Sequence, residues 1–326
     1  MNARRHPMAI LLTTIALAVG VGACSPTGGL GTVPSRAPTP APSVDQGEPD
    51  LTAAPSASPS PSAPASVSPG GSPAATTSPD ATTIVRAYFY LGGEIGTAGL
   101  VPVLREVPVT RAVATAAMHA LLAGPTAAES GEREITSAVP AGSRLLGLRV
   151  ENGIATVDLS REFESGGGSM SIFVRLGQVV YTLTQFPTVD AVTFQVEGRT
   201  VTTFGSEGVI LDGPQARSDY DDQLPWIFVD RPAFGAAPGN PARITGSANV
   251  FEAQFLVAIL DGSGRVLVEE SVMATCGTGC RGTFDVTLRY DVAKAQWGTL
   301  RVWVSSARDG QPEAVRDYPV WLTPAR

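Results

Sequence analysis

The chain has 326 residues, 43% of them hydrophobic, which is enough apolar mass for cores in two domains of ordinary size. A formal net charge of −7 excludes a protein shaped to hold nucleic acid, whose phosphates demand a basic face, and gives no attraction to an anionic lipid surface. With 3 Cys and 2 His in all, a closed structural metal site, which wants four such ligands, is not expected, and no cofactor is implied.

Arg4, Arg5 and His6 precede an apolar run over 8–21 that closes on Gly20-Val21-Gly22-Ala23 before Cys24. A positive start, a short apolar stretch and small residues at the break predict a secretory signal peptide over 1–23. The run is shorter than the ~20 residues a membrane-spanning helix needs. Val21-Gly22-Ala23 directly before a Cys resembles a bacterial lipobox. That resemblance implies cleavage before Cys24, a diacylglyceryl group on its sulfur, and a lipid-anchored protein on the outer face of the cytoplasmic membrane. Residues 24–81 are Pro, Ser, Ala, Thr and Gly with almost no large apolar side chain. They cannot bury enough surface to offset chain entropy, so they predict a disordered tether. Such a tether would average ~40 Å end to end as a flexible coil and on the order of 150 Å or more if polyproline-like. Ser/Thr with Pro is also the composition of glycosylated stalks.

From about residue 82 the character changes. Thr83-Ile84-Val85-Arg86-Ala87-Tyr88-Phe89-Tyr90-Leu91 predicts a strand, and 100–107 a second. Thr110 is placed to N-cap a helix over 111–122, with Val113, Ala117, Ala120 and Leu121 as its apolar stripe and Gly124-Pro125 as its end. Strands over 145–150 and 154–159 flank Asn152-Gly153, a strong hairpin signal. A second helix is predicted over 170–186 from the spacing of Ile172, Leu176, Val179, Val180 and Leu183. A hairpin about Glu197-Gly198 joins 191–196 to 200–204. Helices alternating with hairpins predict an α+β domain with helices on one face of a sheet.

The helix Gly177-Gln178-Val179-Val180-Tyr181-Thr182-Leu183-Thr184-Gln185-Phe186-Pro187, followed by Val189, Val192-Thr193-Phe194 and Gly198, resembles the GerMN domain of bacterial spore-germination and sporulation proteins. Ala138-Val139-Pro140 and Ala155-Thr156-Val157-Asp158-Leu159-Ser160 fit the same pattern, so the resemblance covers most of 82–204. Residues 205–222, polar and acidic toward their end, read as a linker.

Over 223–326 short strands and turns alternate: 227–229, 242–248, 252–260, 266–273, 283–290, 299–305 and 314–322. Strands at this spacing predict an all-β sandwich. Phe284, Val286, Leu288 and Tyr290 alternate with polar neighbours, as one buried face requires. The region resembles the immunoglobulin-like Gmad2 domain through Val229-Asp230-Arg231-Pro232, Gly246-Ser247-Ala248-Asn249-Val250-Phe251-Glu252-Ala253, Gly282-Thr283-Phe284 and the stretch 305–310. An oxidising compartment and an even pair favour a disulfide between Cys276 and Cys280. Gly277 and Gly279 let that short ring close, and it would pin a loop rather than hold a domain together. Thiol redox sites usually place two residues between the cysteines, not three.

No catalytic constellation survives inspection. A Ser-His-acid triad needs a histidine, and outside the leader only His119 remains, on a helix and offset from its apolar stripe. Asp158, Glu162 and Glu164 around Arg161 read as a solvated strand end rather than a pair of glycosidase carboxylates. Asp219, Asp221 and Asp222 lack the glycine and the distant Glu of a calcium loop. Trp226, Trp297, Trp303 and Trp321 all lie in the second region, and Trp303 and Trp321 are the candidates for a binding surface. The sequence therefore predicts a non-enzymatic scaffold or interaction protein of the cell envelope, with an envelope protein or another copy of itself as partner. The alternatives are a binding module for a cell-wall glycan or small envelope ligand, and an envelope hydrolase. Abundant Arg and Ala with few Lys suggest a GC-rich genome, so germination itself is not carried over.

Overall fold

A computed structural model describes residues 81–325. The signal peptide, Cys24 and the tether up to residue 80 lie outside them.

The first module opens with an antiparallel pair. β1 (Thr82–Leu91) and β2 (Gly99–Pro108) run in register from Thr82 opposite Pro108 to Leu91 opposite Gly99. α1 (Val113–Leu122) buries Ala117, Met118 and Leu121. Thr110 does not cap it: Ala112 occupies the N-cap position without a side-chain bond, and Thr110 Oγ1 accepts instead from Ala112 N at 3.1 Å. α2 (Ala127–Glu132), which apolar periodicity does not announce, is a single polar turn-and-a-half set by a capping box between Thr126 and Glu129. β3 (Ile135–Thr136) joins the far end of β1.

A second sheet follows in the order β4 (Leu145–Glu151), β5 (Ile154–Leu159), β6 (Ala191–Val196), β7 (Arg199–Thr200). Asn152 and Gly153 both take the left-handed backbone of a tight hairpin turn, φ 52° and 80°. β5 and β6 pair in parallel, because α3 (Ser169–Leu183) crosses between them. The strand expected over 200–204 is broken. β8 (Thr203–Phe204) turns away to pair with β9 (Val209–Ile210).

α3 ends at Leu183, three residues before its predicted end, and from Val174 to Leu183 every residue is buried. Its polar members have assigned partners. β2 covers one side of β1 along its length, but on the other side β3 reaches only Tyr90 and Leu91. α3 and its C-terminal extension complete that edge. Thr182 Oγ1 accepts from Tyr88 N (3.1 Å), Gln178 Nε2 donates to Tyr88 O (2.9 Å), and Gln185 exchanges bonds with both Arg86 N (2.8 Å) and Arg86 O (2.6 Å). A buried sheet edge is thereby satisfied by side chains instead of a strand. Arg175, 2% exposed, spends its guanidinium on the carbonyls of Ala138, Phe163 and Gly166 at 2.6–3.0 Å, anchoring the loops around the helix N-terminus.

The stretch 205–222 is not a free linker. Val209, Leu211 and Tyr220 are buried in the same core as α3, and Gln215 exchanges backbone bonds with Val192 at 2.8 and 2.9 Å. Its few apolar residues are spaced to dock on α3 and β6, so a segment polar in composition is still packed.

The second module is a sandwich of two antiparallel sheets. One is β10 (Ile227–Arg231), β11 (Ala242–Ala248) and β14 (Gly282–Leu288). The other runs β13 (Val266–Met273), β12 (Gln254–Leu260), β15 (Gln296–Ser305), β16 (Pro312–Leu322). Phe255, Val257 and Ile259 alternate inward from β12, as do Leu300 and Val302 from β15 and Tyr318, Val320 and Leu322 from β16. The rings of Phe255 and Phe284 meet across the two sheets at 4.9 Å. Among the described residues no helix is long and apolar enough to cross a membrane.

Candidate functional site

The densest polar chemistry lies where the two modules meet. β2 and the start of the second module run side by side. Phe234 N donates to Pro102 O and Trp226 N to Gly96 O, both at 2.9 Å. Gly96, at φ +87°, is required here, since a Cβ would lie 2.6 Å from the Trp226 indole. Arg316 on β16, 4% exposed, reaches into the first module and donates to the carbonyls of Thr97 and Leu100.

The centre of the seam is Asp230 on β10. Tyr88 Oη donates to its Oδ1 at 2.5 Å. Arg86 and Arg217 each place a guanidinium nitrogen 3.6 Å from its carboxylate. Arg217 also donates to Thr184 Oγ1 at 2.8 Å and lies over the Tyr181 ring at 4.5 Å. Burial, reinforced by the Asp230 charge, drives the Tyr88 phenol far above its ordinary pKa, so it stays protonated and donates. Burial works against the Arg217 charge, but Tyr88 and Asp230 outweigh it and raise its pKa. One carboxylate of the sandwich thus ties two arginines and a tyrosine of the first module, a joint suited to fixing orientation.

The residues singled out in the sequence fall elsewhere. His119 is exposed on α1. Asp158 accepts from Gly198 N at 2.9 Å, Glu162 stands 3.7 Å from Arg144, and Glu164 lies with it in a short 3-10 turn. Asp219 Oδ2 accepts from Ala216 N at 2.7 Å, Asp221 lies 3.9 Å from Arg281, and Asp222 is exposed. Among the described residues no His, Cys, Asp and Glu converge in a group that could hold a metal. The sulfurs of Cys276 and Cys280 are bonded, with Cα atoms 5.8 Å apart. Their loop braces the neighbouring one: Thr278 N donates to Val250 O and Thr278 Oγ1 accepts from Glu252 N, both at 2.9 Å.

Of the two tryptophans offered as a binding surface, Trp303 is 8% exposed and packs with Leu256, Ala258 and Leu260. Trp303 therefore serves packing rather than contact with a partner. Trp321 is 37% exposed and meets Trp297 edge-on at 5.3 Å. Phe251, 68% exposed beside Trp226 and Leu256 in one groove, is an apolar side chain the sequence did not single out.

The seam residues were also missed as a group. Asp230 and Arg231 entered only through family resemblance, and Tyr88, Arg86 and Arg217 only as parts of a strand or linker. A charge within an apolar strand, Arg86 between Val85 and Ala87, was the available signal.

Two family models match separate parts of the chain. Residues 86–202 match the family model Germane, described as sporulation and spore germination. Residues 226–311 match Gmad2, described as the immunoglobulin-like domain of bacterial spore germination. Among solved structures, the first GerMN domain of the sporulation protein GerM from Bacillus subtilis is 20% identical, over 42% of this chain and 99% of that one, with a TM-score of 0.36. The tandem GerMN domains of the same protein are 14% identical over 64% of this chain and 62% of that one, with a TM-score of 0.35. Among curated proteins none matches.

Proposed function

Taking as given that this chain joins a GerMN domain to a Gmad2 immunoglobulin-like domain, we propose that it is a lipid-anchored protein of the cell envelope whose two modules act together as a non-enzymatic contact unit. Cys24 carries the lipid, residues 24–81 supply reach, and the folded part is held outside the cytoplasm. The observation that carries this reading is the seam. Asp230 with Tyr88 and Arg217, and Arg316 with Thr97 and Leu100, hold the two modules in one orientation, with Arg86 3.6 Å from the same carboxylate. A fixed orientation serves a protein that presents a composite surface to a partner. The exposed Phe251 and the Trp297–Trp321 pair belong to that surface.

Two measurements test it. A Cys24→Ala variant grown with labelled fatty acid should lose the label and leave the membrane fraction, and retained label would refute the anchor. Cross-linking in intact cells followed by mass spectrometry should yield an envelope protein or a second copy of this chain joined to residues of either module. Recovery of cytosolic partners alone would refute the envelope role.

A further inference from the structure

A cleft of ≈740 Å³ opens at the joint between the modules. Its polar wall holds three arginines, Arg86 from β1, Arg231 from the end of β10 and Arg243 from β11. No Asp or Glu is among its described lining residues, in a chain whose formal net charge is −7. Ile84, Phe186 and Pro232 supply apolar walls beside them.

The three arginines are not equally committed. Arg243 is held from outside the cleft by a two-pronged pair with Asp285 at 2.5–3.2 Å. Arg231 is exposed, and while its backbone pairs with Thr245 on β11, its side chain has no ion-pair or hydrogen-bond partner among the described residues. Arg86 is the informative one. Its side chain is only 9% exposed, and its nearest carboxylate, Asp230, stands 3.6 Å away. Its buried Nε has no partner, and its guanidinium makes no hydrogen bond to any described residue. Tyr88 Oη and Arg217 share Asp230 Oδ1, at 2.5 and 3.6 Å, while Arg86 faces the other oxygen, Oδ2, at 3.6 Å, beyond hydrogen-bond distance. Arg281 and Arg316 also leave a buried Nε without a partner, but their terminal nitrogens donate to carbonyls, and Arg175 reaches three carbonyls; among these buried arginines Arg86 alone donates no guanidinium hydrogen bond to a described residue. A buried guanidinium with its N–H donors unspent is costly, and its planar fork matches a carboxylate or a phosphate.

We propose that this cleft is a binding site for an oxyanion, the carboxylate or phosphate of a small molecule whose apolar part rests against Ile84, Phe186 and Pro232. Arg86 supplies the buried donors, and Arg231 closes over the anion from the rim. Because the site straddles the seam, the bound anion bridges the modules beside Asp230. The site does not depend on the lipid anchor and stands or falls separately from it.

The test is calorimetric titration of the full chain with inorganic phosphate and, separately, with succinate, at ionic strength held constant with chloride. Saturable binding of either anion is expected, and which one binds separates a phosphoryl from a carboxyl ligand. Arg231→Ala, an exposed position that leaves the seam intact, should weaken binding about tenfold. Arg86→Lys keeps the charge but removes the fork, and should weaken it at least as much. Arg308→Ala, an arginine outside the cleft with its side chain 86% exposed, should leave binding unchanged. Absence of saturable binding by both anions would overturn the proposal. So would an Arg231→Ala protein that binds as the parent does, or an Arg308→Ala protein weakened as much as Arg231→Ala.

Discussion

Replacing Asp230 by alanine removes the one carboxylate at the centre of the seam and leaves Arg86 and Arg217 facing each other's charge without it. At 3.6 Å and an effective dielectric of ~20, each arginine–Asp230 attraction is about 4–5 kcal/mol before solvation is counted. Desolvation of the three groups offsets most of that, and breaking a buried pair by deleting one partner typically costs about 3–5 kcal/mol. Asp230 is 18% exposed, so a loss of about 3 kcal/mol is expected. All four tryptophans lie between residues 226 and 321, while α1 and α3 lie in the first module. Urea unfolding can therefore be followed by tryptophan fluorescence for the sandwich and by ellipticity at 222 nm for the helical module. The parent protein should show coincident transitions, and Asp230→Ala should lower the midpoint and separate the two curves. A variant within ~0.5 kcal/mol of the parent with coincident curves would show that the seam contributes nothing to coupling, and the reasoning would fall.

Three further outcomes are expected. Gln178→Leu strands Tyr88 O and Ala138 N, which Gln178 pairs at 2.9 and 2.8 Å, and should cost about 2–4 kcal/mol by denaturant unfolding; a loss under ~1 kcal/mol would contradict the edge-covering role of α3. Burial pushes the Glu129 carboxyl up, but Arg105 (2.6 and 2.8 Å) and Thr126 N (2.7 Å) outweigh it and hold its pKa below the ordinary value. A depressed folded-state pKa gives stability that is present above the unfolded value and lost as pH falls through the folded one. Glu129→Gln should thus cost about 1–2 kcal/mol at pH 7, with the difference shrinking between about pH 5 and pH 3 in thermal melts; a pH-independent difference would rule out the ionic account. Cys280→Ser should cost about 2 kcal/mol, with faster amide exchange at Glu252 and Thr278 and little change in β12; protection unaltered at those two amides would mean the ring does not brace the loop.

Much of the fold is legible because its signals are local. Asn152-Gly153 fixes a hairpin by backbone conformation, and Ile172, Leu176, Val179 and Leu183 announce a helix by spacing. The Thr126–Glu129 capping box is equally local, but a short polar helix has no apolar stripe to set it apart from a loop. What stays hidden is non-local. β5 and β6 carry the same alternation whether they pair in parallel or not, so the crossover through α3 decides it. Composition made 205–222 look like a linker, yet three apolar residues, Val209, Leu211 and Tyr220, suffice to dock it. The seam is the extreme case: Tyr88 and Asp230 are 142 positions apart, and nothing within either strand specifies the other. Trp303 is the opposite case: a tryptophan on a sheet strand suggests an exposed face, but Leu256, Ala258 and Leu260 of the neighbouring strand bury it, and β15 alone does not specify that neighbour.

The polar row along α3 and its C-terminal extension has a consequence beyond closing an edge. Gln178, Thr182 and Gln185 each meet a particular backbone group of Arg86 or Tyr88, whereas an apolar helix face could slide by a turn and find comparable packing. A slip of one turn, about 5.4 Å, would strand all three at once. The row therefore acts as a key that sets the axial position of the helix against the strand. Because Tyr88 also donates to Asp230 and Arg86 lies 3.6 Å from it, the same key indexes the two modules to one another.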